Sequence, residues 1–210
     1  MIKLIIFDID GTIVNAYGAI YKSIKYALRK SGYRRMPTYL KAKRSIGYGD
    51  RNFVATFVKP EDIDKATALY RKHHERSLLT GARVMPCAKG VLSKLHKKGY
   101  KLAVCSNRPR KFSMILLKRL ALTKYFDMIE CADNKKELKP SPFLINKIMR
   151  RMKVKKPEAL YVGDMDLDIK AGRNAGVRTV AVLGGSSSRA DLESQRPFKM
   201  IRNLCGLLKI

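Results

Sequence analysis

Leu4-Ile5-Ile6-Phe7-Asp8-Ile9-Asp10-Gly11-Thr12 is the stretch on which the reading of this 210-residue chain turns. Leu4 to Phe7 is a short run of branched and aromatic side chains bounded by a turn signal, the pattern of a buried strand. Two acids separated by one apolar residue follow, then Gly11 and Thr12. In open α/β sheets, ligands gather outside the carboxyl ends of the strands. Carboxylates placed there must be solvated, paired or bound to a cation, because burying a bare charge is expensive.

After this strand, Ile20, Ile24, Ala27 and Leu28 repeat at helical spacing and Gly32 provides a stop. Residues 33–50 are polar and basic, with Pro37, Gly47 and Gly49, which predicts a loop with a partial helix. Phe53, Val54, Phe57 and Val58 share one helical face. Pro60 closes that segment, and Glu61 and Asp62 suit the first turn of a helix running to about Leu78. No strand pattern interrupts 16–80, so this stretch is expected to be a helical cap inserted into a core made of 1–15 and 81–210. From Met85 onward the pattern alternates. Strands are expected over 101–105, 128–132, 159–162, 178–183 and 199–201, with helices between them and a last one from Leu204. Such alternation implies right-handed crossovers and an α/β fold, a doubly wound parallel sheet with helices on both faces.

Charge is the unusual feature of the composition. Lys and Arg outnumber Asp and Glu by 45 to 17, a formal +28. That field favours acidic partners: nucleic acid, anionic lipid or small phosphorylated molecules. The basic residues are scattered over amphipathic segments (Lys94, Lys97, Lys98; Arg150, Arg151, Lys153), as on solvated helix faces. With no nucleic-acid motif and no dense aromatic platform, a nucleic-acid-associated protein stays an alternative behind the small-molecule reading. No apolar run approaches a membrane span, and Met1-Ile2-Lys3 lacks a signal-peptide layout, so a cytoplasmic monomer or homodimer is expected. The four cysteines have no Cys-x-x-Cys spacing; three lie in apolar or strand-like contexts and are expected to be small core side chains, and no zinc or disulfide site is expected. His73 and His74 fall in a charged helix and are expected at a solvated surface.

The strand ends carry the chemistry. One offers Asp8 and Asp10, another Ser106 and Asn107, a third Gly163-Asp164 with Asp166 and Asp168 close behind. Lys139-Pro140 lies in the loop before the helix near 142. A parallel sheet brings all these ends to one edge. The inventory suits phosphoryl transfer. Mg²⁺ binds through one or two carboxylates plus substrate phosphate, and a carboxylate can attack phosphorus to give an aspartyl-phosphate. An ammonium and short donors stabilise the spreading charge. A second acid two residues on projects to the same side and can move the proton.

In that order and spacing, Asp8-Ile9-Asp10-Gly11-Thr12, Ser106-Asn107, Lys139-Pro140 and Gly163-Asp164 with Asp168 resemble the haloacid dehalogenase superfamily phosphatases. The helical insertion falls where the family's small cap does. Phe7 to Val14, Ile46-Gly47-Tyr48-Gly49 and Lys139-Pro140-Ser141-Pro142 are most similar to the phosphoglycolate phosphatase-like branch. The resemblance implies Asp8 as nucleophile and Asp10 as general acid/base, with Asp8, Asp10 (through its carbonyl), Asp164 and Asp168 around Mg²⁺. Asp168 would alternatively orient Lys139 or a metal-bound water. Ser106, Asn107, Gly11 and Thr12 would hold the phosphoryl group and Lys139 would neutralise it. Asn15-Ala16 departs from the acid and serine common in the family, and Asp166 is expected to be a surface acid of a first helical turn. Clustered charge near Gly47 and Gly49 suggests that Arg44, with Lys41, Lys43 and Arg51, meets a second anionic group. The expected function is a Mg²⁺-dependent phosphatase of a small phosphomonoester, phosphoglycolate being the best single candidate. A sugar phosphomutase of the β-phosphoglucomutase type, or a pyrophosphatase or nucleotidase, is the alternative on the same chemistry.

Overall fold

Strand β1 (Leu4–Phe7) is buried along its whole length, as its uninterrupted apolar run requires of a strand covered on both faces. The computed structural model describes residues 1–210. After β1 come β2 (Val14–Asn15), α1 (Tyr17–Lys30), α2 (Tyr39–Arg44), α3 (Asp50–Ala55), α4 (Ile63–Gly81) and β3 (Arg83–Val84). The remainder alternates: α5 (Ala88–Lys97), β4 (Lys101–Ser106), α6 (Arg110–Arg119), β5 (Met128–Cys131), α7 (Phe143–Arg151), β6 (Ala159–Gly163), α8 (Asp166–Ala175), β7 (Arg178–Val182), α9 (Arg189–Ser194) and β8 (Lys199–Ile201). A 3-10 segment, Leu204–Lys209, closes the chain. Six strands form a parallel sheet in the order β5-β4-β1-β6-β7-β8. The doubly wound α/β reading is therefore correct.

Register does the positioning. Phe7 lies opposite Val104 of β4 and Val162 of β6, so Asp8, Cys105 and Gly163 follow at one level. Ser106 and Asp164 stand one residue further on. Alternation along β1 sends Ile5 and Phe7 into one apolar cluster, and Leu4 and Ile6 into a second that includes Leu144, Ile145 and Ile148 of α7 and Ala171 and Ala175 of α8. Asp8 continues the parity of Leu4 and Ile6, toward the side that carries α8.

The segment between β2 and β3 is entirely helical, and those two strands pair antiparallel, Val14 with Val84 and Asn15 with Arg83. The short ladder carried no sequence signal, being two residues long. Ile20, Ile24 and Leu28 of α1 pack with Ala66, Tyr70 and Leu78 of α4, and belong to the same continuous cluster as Phe7 and Val104. The helices thus rest on the sheet face without a core of their own.

One expectation is corrected here. Cys105 and Cys131 are free and buried, but Cys87 and Cys205 form a disulfide that ties the start of α5 to the C-terminal 3-10 segment. A pair 118 residues apart has no local spacing by which to read it. Closing so long a loop restricts the unfolded chain strongly. Cys205→Ser is expected to cost about 2–4 kcal/mol. In denaturant melts, reductant should shift wild type by that amount and leave the variant unmoved.

Candidate active site

The carboxyl ends of β1, β4 and β6, with the loop before α7, surround one cavity of about 60 Å³. Asp8, Asp10, Ser106, Asn107, Arg108 and Lys139 line it from the sheet. Ile46, Gly47, Gly49, Phe53, Tyr70 and His74 line it from the helical segment. Its scale suits a small chemical group.

Lys139 organises the floor. Its ammonium donates to Asp8 Oδ1 and Asp168 Oδ1, both at 2.6 Å, in a place where its own exposure is 5%. Burial alone pulls a lysine pKa down, but the charges of Asp168 and Asp8 outweigh it and the net direction is up. Asp168 is held from three sides: by Lys139, by the Tyr161 hydroxyl at 3.0 Å and by the Met165 amide at 2.9 Å. Asp164 accepts from the Thr12 hydroxyl at 3.0 Å, the Tyr17 hydroxyl at 3.2 Å and the Ser186 amide at 2.7 Å.

Asp8, Asp164 and Asp168 each offer an oxygen, all within 4.8 Å of one another. Of these three buried carboxylates only Asp8 and Asp168 bond the one ammonium. Burial pushes Asp8 up to about 7, with Lys139 opposing and Asp168 adding to the rise. Burial, then the charges of Asp168 and Asp8, push Asp164 up to about 8. Hard carboxylate oxygens gathered at one place are what a divalent cation such as Mg²⁺ takes. The residues present fit that ion. Asp10 stands outside this group, since both its oxygens are engaged by Arg108 at 2.7 and 2.8 Å.

Several expected substrate contacts fall elsewhere. The Gly11 amide donates to Val14 O at 2.8 Å, and φ of +82° with Asp164 packed against its Cα explains the glycine. The Thr12 hydroxyl holds Asp164 and is fully buried. Both serve the turn and the acid, and neither lines the cavity. Asn107 does line it, but its amide group is committed to Gly47 O, Lys139 O and the Lys139 N–H. It ties the loop of the helical segment to the lysine loop. Ser106 Oγ accepts from the Arg108 amide at 3.2 Å, which leaves its hydroxyl hydrogen to donate into the cavity. The amides of Ile9 and Asp10 donate to no backbone or side-chain acceptor, and they begin the turn directly after Asp8.

Arg44 is also corrected. It lines a separate cleft with Tyr48, Asp166, Ser187 and Asp191, because α2 points its basic end toward the α9 side of the core. Lys43 donates to Gly184 O and Arg51 pairs with Asp64. Asp166 is the partly exposed first residue of α8 and pairs with Lys170, as expected of it. Asn15 accepts from the Tyr17 amide.

The residue missed was Arg108, and with it His74. Arg108 follows Ser106-Asn107 directly; adjacency to a strand end was the available signal, lost among 45 basic residues. His74 is 1% exposed, contrary to the expected surface position, because α4 turns it onto Arg108 Nη1 at 2.7 Å. Burial, then Arg108, hold its pKa well below the ordinary histidine value.

Comparison with known proteins agrees with this geometry. The family described as haloacid dehalogenase-like hydrolase matches residues 5–182. A phosphoglycolate phosphatase of Aquifex aeolicus is 31% identical over 95% of both chains. The pyrophosphatase PpaX of Halalkalibacterium halodurans is 30% identical, over 100% of this chain and 96% of that one. A structure titled as a predicted phosphoglycolate phosphatase from Haemophilus somnus superposes with a TM-score of 0.92 at 23% identity, covering 99% and 97% of the two chains. The chain belongs to the haloacid dehalogenase-like hydrolases. Within them it falls in the phosphoglycolate phosphatase-like branch and is a phosphatase-type hydrolase.

The raised acids set a pH dependence. With no divalent ion added, the folded protein keeps protons on Asp8 and Asp164 up to about pH 7 and 8, while the unfolded chain releases them near the ordinary 3.8. Stability should therefore fall as pH rises through that window. Mg²⁺ binding needs the ionised forms, so the increase in Tm produced by Mg²⁺ over EDTA should grow with pH between about 5 and 8. Thermal melts across that range check both slopes.

Proposed function

We propose that the chain is a Mg²⁺-dependent phosphatase of small phosphomonoesters, with phosphoglycolate as the best single substrate, working through an aspartyl-phosphate on Asp8. The reading includes a cytoplasmic protein acting as monomer or homodimer, with 16–80 as a cap over a core of 1–15 and 81–210. The observation that carries it is Lys139 bridging Asp8 and Asp168 at the floor of a cavity that also holds Asp10 and Ser106. The names of the Aquifex aeolicus and other relatives support the substrate.

Asp8 is the nucleophile. One of its oxygens forms a bond to phosphorus as the bond from phosphorus to the leaving oxygen breaks, and Asp10 delivers a proton to that oxygen. The Lys139 ammonium, the Ser106 hydroxyl and the amides of Ile9 and Asp10 face the charge that builds on the phosphoryl oxygens. Water then attacks phosphorus, its proton passes to Asp10, and the bond to Asp8 breaks to release inorganic phosphate. Asp8 and Asp164 would hold Mg²⁺, assisted by the Asp10 carbonyl, and the ion supplies charge neutralisation for the phosphoryl group. Asp168 positions Lys139. Ile46, Gly47 and Gly49, with Tyr70 and His74 of α4, line the cavity opposite the sheet, where closing over a bound substrate would limit access of bulk water.

A pyrophosphatase is the second reading, favoured by the PpaX relatives at 30% and 31% identity. Phosphate release across a panel of metabolite phosphates and pyrophosphate with Mg²⁺ separates the two. Asp8→Asn should reduce release to the blank, and Asp10→Asn should lower kcat by about 10²–10⁴. Equal rates for wild type and Asp8→Asn overturn the assignment.

A further inference from the structure

Both oxygens of Asp10, the acid that must give a proton to the leaving group, are occupied by a guanidinium. Arg108 Nε and Nη2 donate to them at 2.8 and 2.7 Å, and the pair is buried, with side chains 7% and 11% exposed. Nη1 donates to His74 Nε2 at 2.7 Å. Because a guanidinium only donates, Nε2 is the acceptor and the proton of the neutral ring sits on Nδ1. That nitrogen reaches Ser23 Oγ at 3.2 Å, and Ser23 in turn donates to Ala19 O at 2.7 Å. Arg108 is thus held by the sheet through Asp10 and by the helical segment through His74. Three of its five N–H groups are engaged and two are uncommitted.

The cations of the cavity stand at two ends; Asp50, which also lines it, is paired with Arg71. Lys139 answers the phosphoryl group beside Asp8 and Ser106. Arg108 is the second cation that lines the cavity, on the side where Asp10 must meet the leaving oxygen. Neither Arg44 nor Lys41, Lys43 or Arg51 lines it. Tyr70, Phe53 and Phe112 surround the remainder with apolar surface, against which a free carboxylate would be poorly solvated. A planar fork with spare donors is the partner such a carboxylate requires.

We propose that Arg108 reads the leaving group: a carboxylate on the substrate takes the guanidinium, with His74 keeping the fork aimed, and Asp10 is thereby released for proton transfer. The substrates favoured are phosphomonoesters of short hydroxy acids. A leaving group without a second negative charge leaves Asp10 locked in its ion pair and is turned over slowly. The proposal rests on the phosphatase reading above and adds the residue that selects within it.

The test compares 2-phosphoglycolate with ethyl phosphate, similar in size but lacking the carboxylate. In wild type with Mg²⁺, kcat/KM should favour phosphoglycolate, and Arg108→Gln should reduce that ratio by about 10- to 100-fold, the loss of a hydrogen bond to a charged group. Arg108→Lys should restore part of it. Calorimetric binding in the Asp8→Asn background reads the same preference without turnover, and adding Arg108→Gln should bring the two affinities together. Where Arg108→Gln alone fails to fold, Asp10→Asn with Arg108→Gln removes the pair without leaving a bare buried charge and carries the binding comparison. If Arg108→Gln lowers both substrates by one factor and the binding preference survives, Arg108 only orients Asp10 and the proposal is overturned, while the phosphatase reading stands. If wild type hydrolyses neither ester, that reading falls and takes the proposal with it.

Discussion

Asp8 and Asp168 converge on one ammonium at the middle of the sheet, with Asp164 close beside them, and the surrounding side chains answer that crowding of carboxylates. Taking each charge out of water costs several kcal/mol even after relaxation. The fold offsets the cost with donors brought from many places: Tyr161 from β6, Thr12 from the turn after β1, Tyr17 from α1 and the Ser186 amide from the loop after β7. Gly11 and Gly185 are small because the Asp164 carboxylate lies where their Cβ atoms would be. Burial first, and the neighbouring carboxylates after it, still raise Asp8 and Asp164, and a cation bound among the three acids would favour their ionised forms. Stability of the apo site is sacrificed for affinity.

The second ion pair has the opposite balance. Asp10 and Arg108 neutralise one another with two well-aligned hydrogen bonds, and the neutral His74 adds an acceptor without adding charge. One end of the cavity therefore calls for compensation and the other is self-contained until something displaces a partner. This asymmetry lets a single small cavity treat the two ends of a substrate differently.

The fold was legible because parallel strands announce themselves as apolar runs and because their ends carried Asp8, Ser106 and Asp164 in sequence order. The direction of a side chain after the strand stops was not legible. Thr12 turns inward onto Asp164, and Gly11 gives its amide to Val14, choices made by a tight turn and invisible to spacing. Asn107 lines the cavity and also stitches two loops together, a second role that spacing does not reveal. Arg108 escaped because it sits among 45 lysines and arginines, and His74 because its helix reads as a charged surface helix; only packing of α4 against the end of β4 singles them out. Arg44 misled for the same reason: proximity in sequence to Gly47 did not determine which side of the loop it occupies. The Cys87–Cys205 link lies beyond any local pattern.

The pairing of Val14–Asn15 with Arg83–Val84 as a separate two-stranded ribbon means that the whole helical segment leaves the α/β core and returns to it at adjacent points. The distance the core must span is the width of one strand pair, whatever is threaded between. Length and shape of the inserted helices are thereby decoupled from the register of β1, β4 and β6. The catalytic edge can be inherited unchanged while the segment above it is lengthened, shortened or exchanged. Such an enzyme is modular at one seam, and new specificities can be grafted there without rebuilding the framework that does the chemistry.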